Sequence, residues 1–384
     1  MIMKNTLKFA SLLLSAAVLF SCEETNPETE VENGDGLIQD TESLVLASDK
    51  NVIQSNGQDA ATLSVFTADG ADVTAESTFY LITGYNSKNE PQFEELKLTD
   101  NKFTVTSTGE HKLMASYKAL ITESHLSINA IDTTVPSAVE DPQPSNTSFV
   151  HRTFLNQYTG TGCGYCPGMV RVLRETLVDE VADKAVLAAI HSYNSSDPAY
   201  LATPKASGYP FMHVDMVQSF SYDAGSPALA ALINERIATP ALVGISANPV
   251  YEKDRLVVRV SVKAAQTGNY NVGVWFLQDN VYGMQTDNLG ITVGDDSYNN
   301  HNNCVRLADS KYMGSFVGYP LGEIKAGETA ERTFLLNVNK RWKLTNLDDL
   351  HFAAFVTTIE GRGYKVVNVV DCPYNKPTPF DYTK

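Results

Sequence analysis

From Ser43 to Ala130 the apolar residues come in short runs that alternate with polar positions. Ser43–Ala47, Ala61–Phe66, Phe103–Val105 and Lys112–Tyr117 each suit a strand with one buried face. Asn56-Gly57 and Asp69-Gly70 supply turns between them. About seven strands in about ninety residues predict a β-sandwich over 41–131. Asp132 to Thr147 is polar, holds three prolines and reads as a semi-rigid linker over 132–147. The pattern then changes. Phe149–Tyr158 reads as an apolar strand. Met169, Val170, Leu173, Leu177, Val178 and Val181 follow at helical spacing, predicting a helix over 167–182. Ala185–Tyr193 is a near-continuous apolar run, as a buried parallel strand requires. Phe211–Met216 reads as a further strand. A last helix starts with Ser226 as N-cap and Pro227 at its first position. This β-α-β, β, α order describes an α/β module over 148–240. Strands return after Ala241, at Leu242–Ala247, Leu256–Lys263, Tyr270–Leu277, Arg332–Val338 and Phe352–Thr357. They predict a second sandwich over 241–384.

The beginning of the chain follows another logic. Lys4 and Lys8 flank the start of an apolar run, Phe9–Phe20, that is too short for a stable membrane span. It reads as a signal peptide over 1–21. The acidic and polar residues over 22–40 then read as a flexible tether. Composition adds little elsewhere. Hydrophobic content of 43% and charged content of 19% describe ordinary globular domains. The net charge of −16 argues against nucleic acid as a partner. No phosphate loop, nucleophile elbow or H-E-x-x-H is present.

The chemistry concentrates in Thr159–Gly168, TGTGCGYCPG. Cys163 and Cys166 form a C-x-x-C pair where the predicted strand turns into the predicted helix. Unpaired N–H groups and the helix dipole stabilise a thiolate there. The thiolate is the species that attacks disulfides, and the two-residue spacer lets Cys166 resolve a mixed disulfide made by Cys163. Three readings stand: a thiol–disulfide site, an inert disulfide in a binding scaffold, and half of a zinc site. The zinc site would be completed by His301 and Cys304 from the later sandwich. A c-type haem is excluded, because Pro167 stands where a histidine is required. His151, His191 and His213 are expected at strand ends or on the surface. Arg306 and His301 are expected to pair within the sandwich rather than to hold a ligand.

Four resemblances sharpen this picture. Leu19-Phe20-Ser21-Cys22 resembles a bacterial lipobox, which implies lipid attachment at Cys22. Of the five cysteines, four then remain, an even number in an oxidising compartment. Three pairings are open. Cys163–Cys166 as the redox pair with Cys304–Cys372 as a structural bridge is the favoured one. The C-G-Y-C segment resembles the thioredoxin superfamily, and Gly164-Tyr165 is the dipeptide of its periplasmic disulfide isomerases. That resemblance implies a cis-proline facing the cysteines, here Tyr209-Pro210, and a substrate surface of Tyr165, Tyr209 and Pro210. Gln157 departs from the family, which has a buried aspartate at this position as base for the resolving cysteine. The segment from Thr62 to Phe79 resembles bacterial immunoglobulin-like modules, as a spacer or as an adhesive domain. The whole layout, with Tyr298-Asn-Asn-His-Asn-Asn-Cys-Val-Arg306, resembles the twenty-eight-kilodalton outer-membrane lipoproteins of Bacteroidetes.

The expected fold class is thus multidomain: an Ig-like β-sandwich, a thioredoxin-like α/β module and a C-terminal β-sandwich. The expected function is thiol–disulfide exchange on envelope or surface proteins by an oxidoreductase or isomerase. It needs no cofactor and no metal. A lipid anchor would hold the protein at the outer membrane, facing the periplasm or the cell surface. The alternative is a non-enzymatic surface lipoprotein, for binding or adhesion, on an inert thioredoxin-like scaffold.

Overall fold

The computed structural model describes residues 43–383, apart from 203 and 313. The expected signal peptide over 1–21, the tether over 22–40 and Cys22 lie outside the described residues. Among the described residues no helix is long and apolar enough to cross a membrane.

Residues 44–131 form two sheets around one core. Leu44–Ser48, Ala61–Thr67 and Lys102–Phe103 make the smaller sheet. Val52–Gln54, Leu126–Ile131, Gly109–Tyr117, Thr78–Tyr85 and Pro91–Leu96 run in that order across the larger one. The two-residue period of a strand turns Ala61, Leu63 and Val65 inward, where they meet Leu113, Ala115 and Ile128. The 132–147 stretch does not hang free. Lys263, 1% exposed, donates to the Asp141 carboxylate at 2.8 Å and to the Pro144 carbonyl at 2.7 Å. Asn248 donates to the Ser137 carbonyl and Thr134 N–H to Glu252. A buried ammonium requires partners of this kind, so the stretch is pinned along the strands it crosses.

The remainder is built on a nine-stranded sheet. Its order is Gln218–Phe220, Phe211–Val214, Thr153–Thr159, Ala185–His191, Cys304–Asp309, Gly268–Gln278, Leu350–Glu360 and Gly363–Pro373. Tyr319–Ile324 pairs with the other half of Gly268–Gln278. Thr153–Thr159 and Ala185–His191 are parallel, joined through helix Cys166–Thr176, and Phe211–Val214 returns antiparallel. Helices Cys166–Thr176 and Gly225–Ile237 cover one face, burying Met169, Leu173, Leu229 and Ile233 against Leu155, Met212 and Val214. A separate sheet of Val243–Glu252, Arg255–Ala264 and Thr329–Asn337 closes a sandwich over the other half.

The sheet runs across the expected boundary at 240, so residues 148–240 and 241–384 share a core. It curls until its ends meet. Val366 N–H donates to the Asp215 carbonyl at 3.0 Å, and Arg152 N–H to Asn368 Oδ1 at 3.1 Å. Inside the curl Phe154 stacks on Phe355 at 5.1 Å between ring centroids and lies 5.2 Å from Trp275. All three are essentially unexposed.

Local expectations also shift. The first helix stops at Thr176 rather than running to 182, because Val178 is extended and Asp179 has φ 49°. Ser226 is not the cap of the last helix: Ala224 holds that position, and the Ser226 hydroxyl donates to Glu175 at 3.0 Å. The expected Cys304–Cys372 bridge does not form. Both thiols are free and buried. Two whole strands, Gly268–Gln278 and Leu350–Glu360, lie between theirs in the sheet. Three inter-strand steps of about 4.8 Å separate them by about 14 Å, more than twice what a disulfide spans.

The shared core makes a prediction. Phe154→Ala empties a site between Trp275 and Phe355 and is expected to cost about 3–5 kcal/mol. Residues 153–373 should still unfold together in urea, with tryptophan fluorescence and amide exchange in helix Gly225–Ile237 losing stability in step. Two separated transitions would contradict a common core.

Candidate functional site

Cys163 and Cys166 are joined by a disulfide. The strand Thr153–Thr159 delivers the chain to the turn, and helix Cys166–Thr176 begins at the second cysteine with Pro167 in its first turn. Pro167 is tolerated there because the N–H it lacks would be unpaired anyway. Tyr165, between the cysteines, is 51% exposed. The Tyr209–Pro210 peptide bond is cis, and Phe211 just after it pairs with Tyr158. The Tyr209 hydroxyl bonds Ser192 at 2.8 Å and its ring meets Tyr193 edge-on at 5.3 Å.

Both cysteines are covered: Cys163 is 3% exposed and Cys166 is fully buried. The cover is the irregular segment Gly283–Leu289. Thr286 N–H donates to the Thr161 carbonyl and Asn288 N–H to the Gly164 carbonyl, each at 2.8 Å. Gln285 Nε2 donates to the Cys163 carbonyl at 3.0 Å. This strap therefore bonds the backbone of the redox loop much as an added strand would. Gly164 permits the approach, because a Cβ there would lie 2.4 Å from the Asn288 side chain. The Y-N-N-H-N-N-C-V-R stretch holds the strap from behind. Asn299 accepts from Gln285 N–H at 2.9 Å, and His301 Nε2 bonds the Gly283 carbonyl at 2.9 Å. Around the cover stand exposed apolar side chains: Tyr165, Tyr193, Met284 and Leu289.

His191 corrects the expectation of a strand-end or surface histidine. It is 1% exposed. Its Nδ1 lies 2.9 Å from Asp197 Oδ2, and its Nε2 3.6 Å from the Cys304 sulfur. Asp197 also accepts from Thr161 N–H at 2.6 Å, which ties the trio to the turn before Cys163. Burial opposes the imidazolium, yet Cys304 and Asp197 push its pKa up to about 10. Burial likewise opposes the Asp197 charge, yet His191 and the N–H groups of Thr161 and Ala199 hold it down to about 2. In residue types this is a cysteine–histidine–aspartate relay. Cys304 is fully buried, so no substrate reaches the sulfur and the trio acts as a buttress. Asp197 escaped sequence reasoning because no spacing links it to Cys304, 107 positions away in the chain.

The other candidates sort readily. Arg306 is 7% exposed and bonds Gln278 and the Pro198 and Trp342 carbonyls. His151 bonds the Thr239 carbonyl, and His213 stacks edge-on against Phe211. The zinc alternative loses its donors, because Cys163 and Cys166 are bonded to each other and Cys304 faces His191. Among the described residues no three His, Cys, Asp or Glu side chains gather around a point where a metal ion fits.

Two predictions follow from this geometry. Gln285→Ala removes the strap side chain that donates to the Cys163 and Thr161 carbonyls, so reduction of the disulfide by dithiothreitol should quicken by about tenfold. An unchanged rate, read by thiol alkylation and mass spectrometry, means the strap does not limit access. The second concerns pH. A histidine whose pKa rises on folding contributes stability that is whole below its ordinary value of 6.5 and fades as pH climbs towards about 10. The gap in urea midpoint between the wild type and His191→Gln should therefore shrink over that window. A constant gap would show a neutral His191 in the fold.

Residues 198–376 match the family of outer membrane protein Omp28. No curated protein matches the chain. Among solved structures, HBP35 of Porphyromonas gingivalis is 15% identical with a TM-score of 0.48, covering 62% of this chain and 80% of its own. A protein from Agrobacterium tumefaciens is 13% identical with a TM-score of 0.38, covering 60% of this chain and 97% of its own. Over the matched residues the chain is similar to a family of outer-membrane proteins, which supports an outer-membrane location.

Proposed function

We propose that the protein is an envelope lipoprotein whose thioredoxin-like module, residues 148–240, exchanges disulfides with envelope or surface proteins. The observation that carries the reading is the Cys163–Cys166 disulfide at the start of helix Cys166–Thr176, ringed by exposed Tyr165, Tyr193, Met284 and Leu289. Apolar side chains around a redox pair suit unfolded or extended polypeptide as substrate. Two further facts support the module. The strand order Gln218–Phe220, Phe211–Val214, Thr153–Thr159, Ala185–His191, with both helices on one face, suits a thioredoxin-like unit. The cis bond at Tyr209–Pro210 sits beside the first strand, where that superfamily keeps its proline.

The step proceeds from the oxidised pair. A substrate thiolate attacks the Cys163 sulfur and the bond to Cys166 breaks. Cys166 leaves as a thiolate and takes up a proton. A second substrate thiolate attacks the substrate sulfur of the mixed disulfide and releases Cys163. The substrate dithiol loses two electrons and the C-G-Y-C pair gains them. With a substrate disulfide and a reduced pair the same steps run backwards. Attachment through Cys22 after removal of residues 1–21, with 22–40 as tether, belongs to the same proposal and rests on the lipobox resemblance.

A second reading has its own support. The strap and the 3% exposure of Cys163 favour a permanently closed disulfide in a non-enzymatic surface lipoprotein. Insulin reduction and reactivation of scrambled ribonuclease separate the two. The exchange reading expects the wild type to exceed Cys163→Ser, with Gln285→Ala faster still. Equal rates for all three proteins would leave only the closed scaffold.

A further inference from the structure

A cavity of about 240 Å³ opens beneath helix Cys166–Thr176, floored by Thr153–Thr159 and Ala185–His191 and walled by residues 298–303. Ala185–His191 and Cys304–Asp309 share a single registered pair, Ala189 with Cys304, so the sheet leaves room beside that contact. Val170, Leu173 and Leu177 line the space from one side of the helix, at the spacing that aligns side chains, and Leu187 meets them from the sheet. An apolar cavity of about 150 Å³ is known to take up benzene, so this one suits a body of about eight to ten non-hydrogen atoms.

Two polar groups interrupt the hydrocarbon from the floor. Gln157 is 3% exposed and Thr159 4%, and both line the cavity. The Gln157 amide nitrogen is sealed inside the wall without a partner. The atoms left with open surface are its oxygen and the Thr159 hydroxyl, and no group among the described residues bonds either. Charge, by contrast, is already matched. Arg174 at the mouth bonds Ser297 and lies 3.6 Å from Asp295. His191 is paired with Asp197. His301 gives its Nε2 proton to the Gly283 carbonyl, and burial beside His191 holds its pKa below the usual value. Among the described residues no Asp or Glu lines the space. An anion therefore finds no free cation, and a cation finds no carboxylate but does meet an imidazolium and a guanidinium. What the cavity offers is hydrocarbon and one buried acceptor.

We propose that this cavity binds a small uncharged amphiphile, with its hydrocarbon body between Leu173 and Leu187 and its hydroxyl donating to Gln157 Oε1. Thr159 stands two residues along the same face of the strand, where its hydroxyl donates to the oxygen of the bound group. A purely apolar occupant is disfavoured, because it strips water from the Gln157 oxygen and returns no donor. This site is separate from the disulfide and does not depend on its chemistry.

Hexan-1-ol titrated calorimetrically into the full chain tests the proposal, against its isomer 1-methoxypentane, which has no O–H. Hexanol should bind saturably, with a Kd of about 1 mM or below, and about tenfold more tightly than the ether. Both isomers can accept from Thr159, but only the alcohol can donate to Gln157. Gln157→Met keeps the length of the side chain and removes the acceptor, so it should bring the two isomers within about twofold of each other. Val170→Trp, a change at a half-buried position on the rim, should abolish binding of both with the far-ultraviolet dichroism unchanged. Sodium hexanoate and hexylammonium chloride should each bind at least about tenfold more weakly than hexanol. Absence of saturable heat from hexanol up to about 10 mM overturns the proposal. So does an ether or a charged probe that equals hexanol in the wild type, a preference for hexanol that survives Gln157→Met, or undiminished binding by Val170→Trp.

Discussion

The stacking of Phe154 on Phe355 and Trp275 is the contact on which the other arrangements depend. These rings come from strands that sequence order assigns to different domains. Aromatic side chains bury large areas, and pairs at this separation add to simple burial. Their meeting draws one end of the nine-stranded sheet onto the other, where Val366 and Asn368 bond the backbone beside Asp215 and Arg152. Once the sheet is curled, the 279–303 connection has to pass over the strand-to-helix turn that carries the cysteines. The strap is a consequence of that route.

The redox turn is therefore supported on two sides. From the interior, Asp197 receives the Thr161 N–H and His191, and His191 in turn faces Cys304. From the exterior, Gln285, Thr286 and Asn288 bond the loop backbone. His301 touches both systems, with its ring edge-on to His191 at 5.0 Å and its Nε2 on the Gly283 carbonyl. It also lines the cavity beneath the helix. A single imidazole thus stands between buttress, cover and cavity.

What was legible in the sequence was local. Alternation in Ala61–Thr67 and the apolar run of Ala185–His191 announce strands because burial imposes their periods directly. The C-G-Y-C turn was legible because strand, glycine and helix signals abut. What escaped was long-range. The parallel contact of Ala189 with Cys304 rests on one registered pair, too little to leave a pattern. The strap is polar and irregular, so its residues look like any connection. The pairing of Cys304 with Cys372 failed because an even number of thiols says nothing about the strands between them. Gln157 departs from a family pattern in the sequence, but that its buried amide nitrogen has no partner shows only in the fold.

The pinned stretch over 132–147 bears on mechanics. Lys263 grips Asp141 from within, and Asn51 of the first sandwich exchanges two hydrogen bonds with the Thr333 backbone. Val52 and Ile131 bury themselves against Val257 at the same seam. A force applied at Ser43 reaches the curled sheet through ionic and apolar contacts loaded together, rather than stretching a slack leash. Residues 43–383 respond to such a tug as a stiff arm, and the turn bearing the disulfide swings with it.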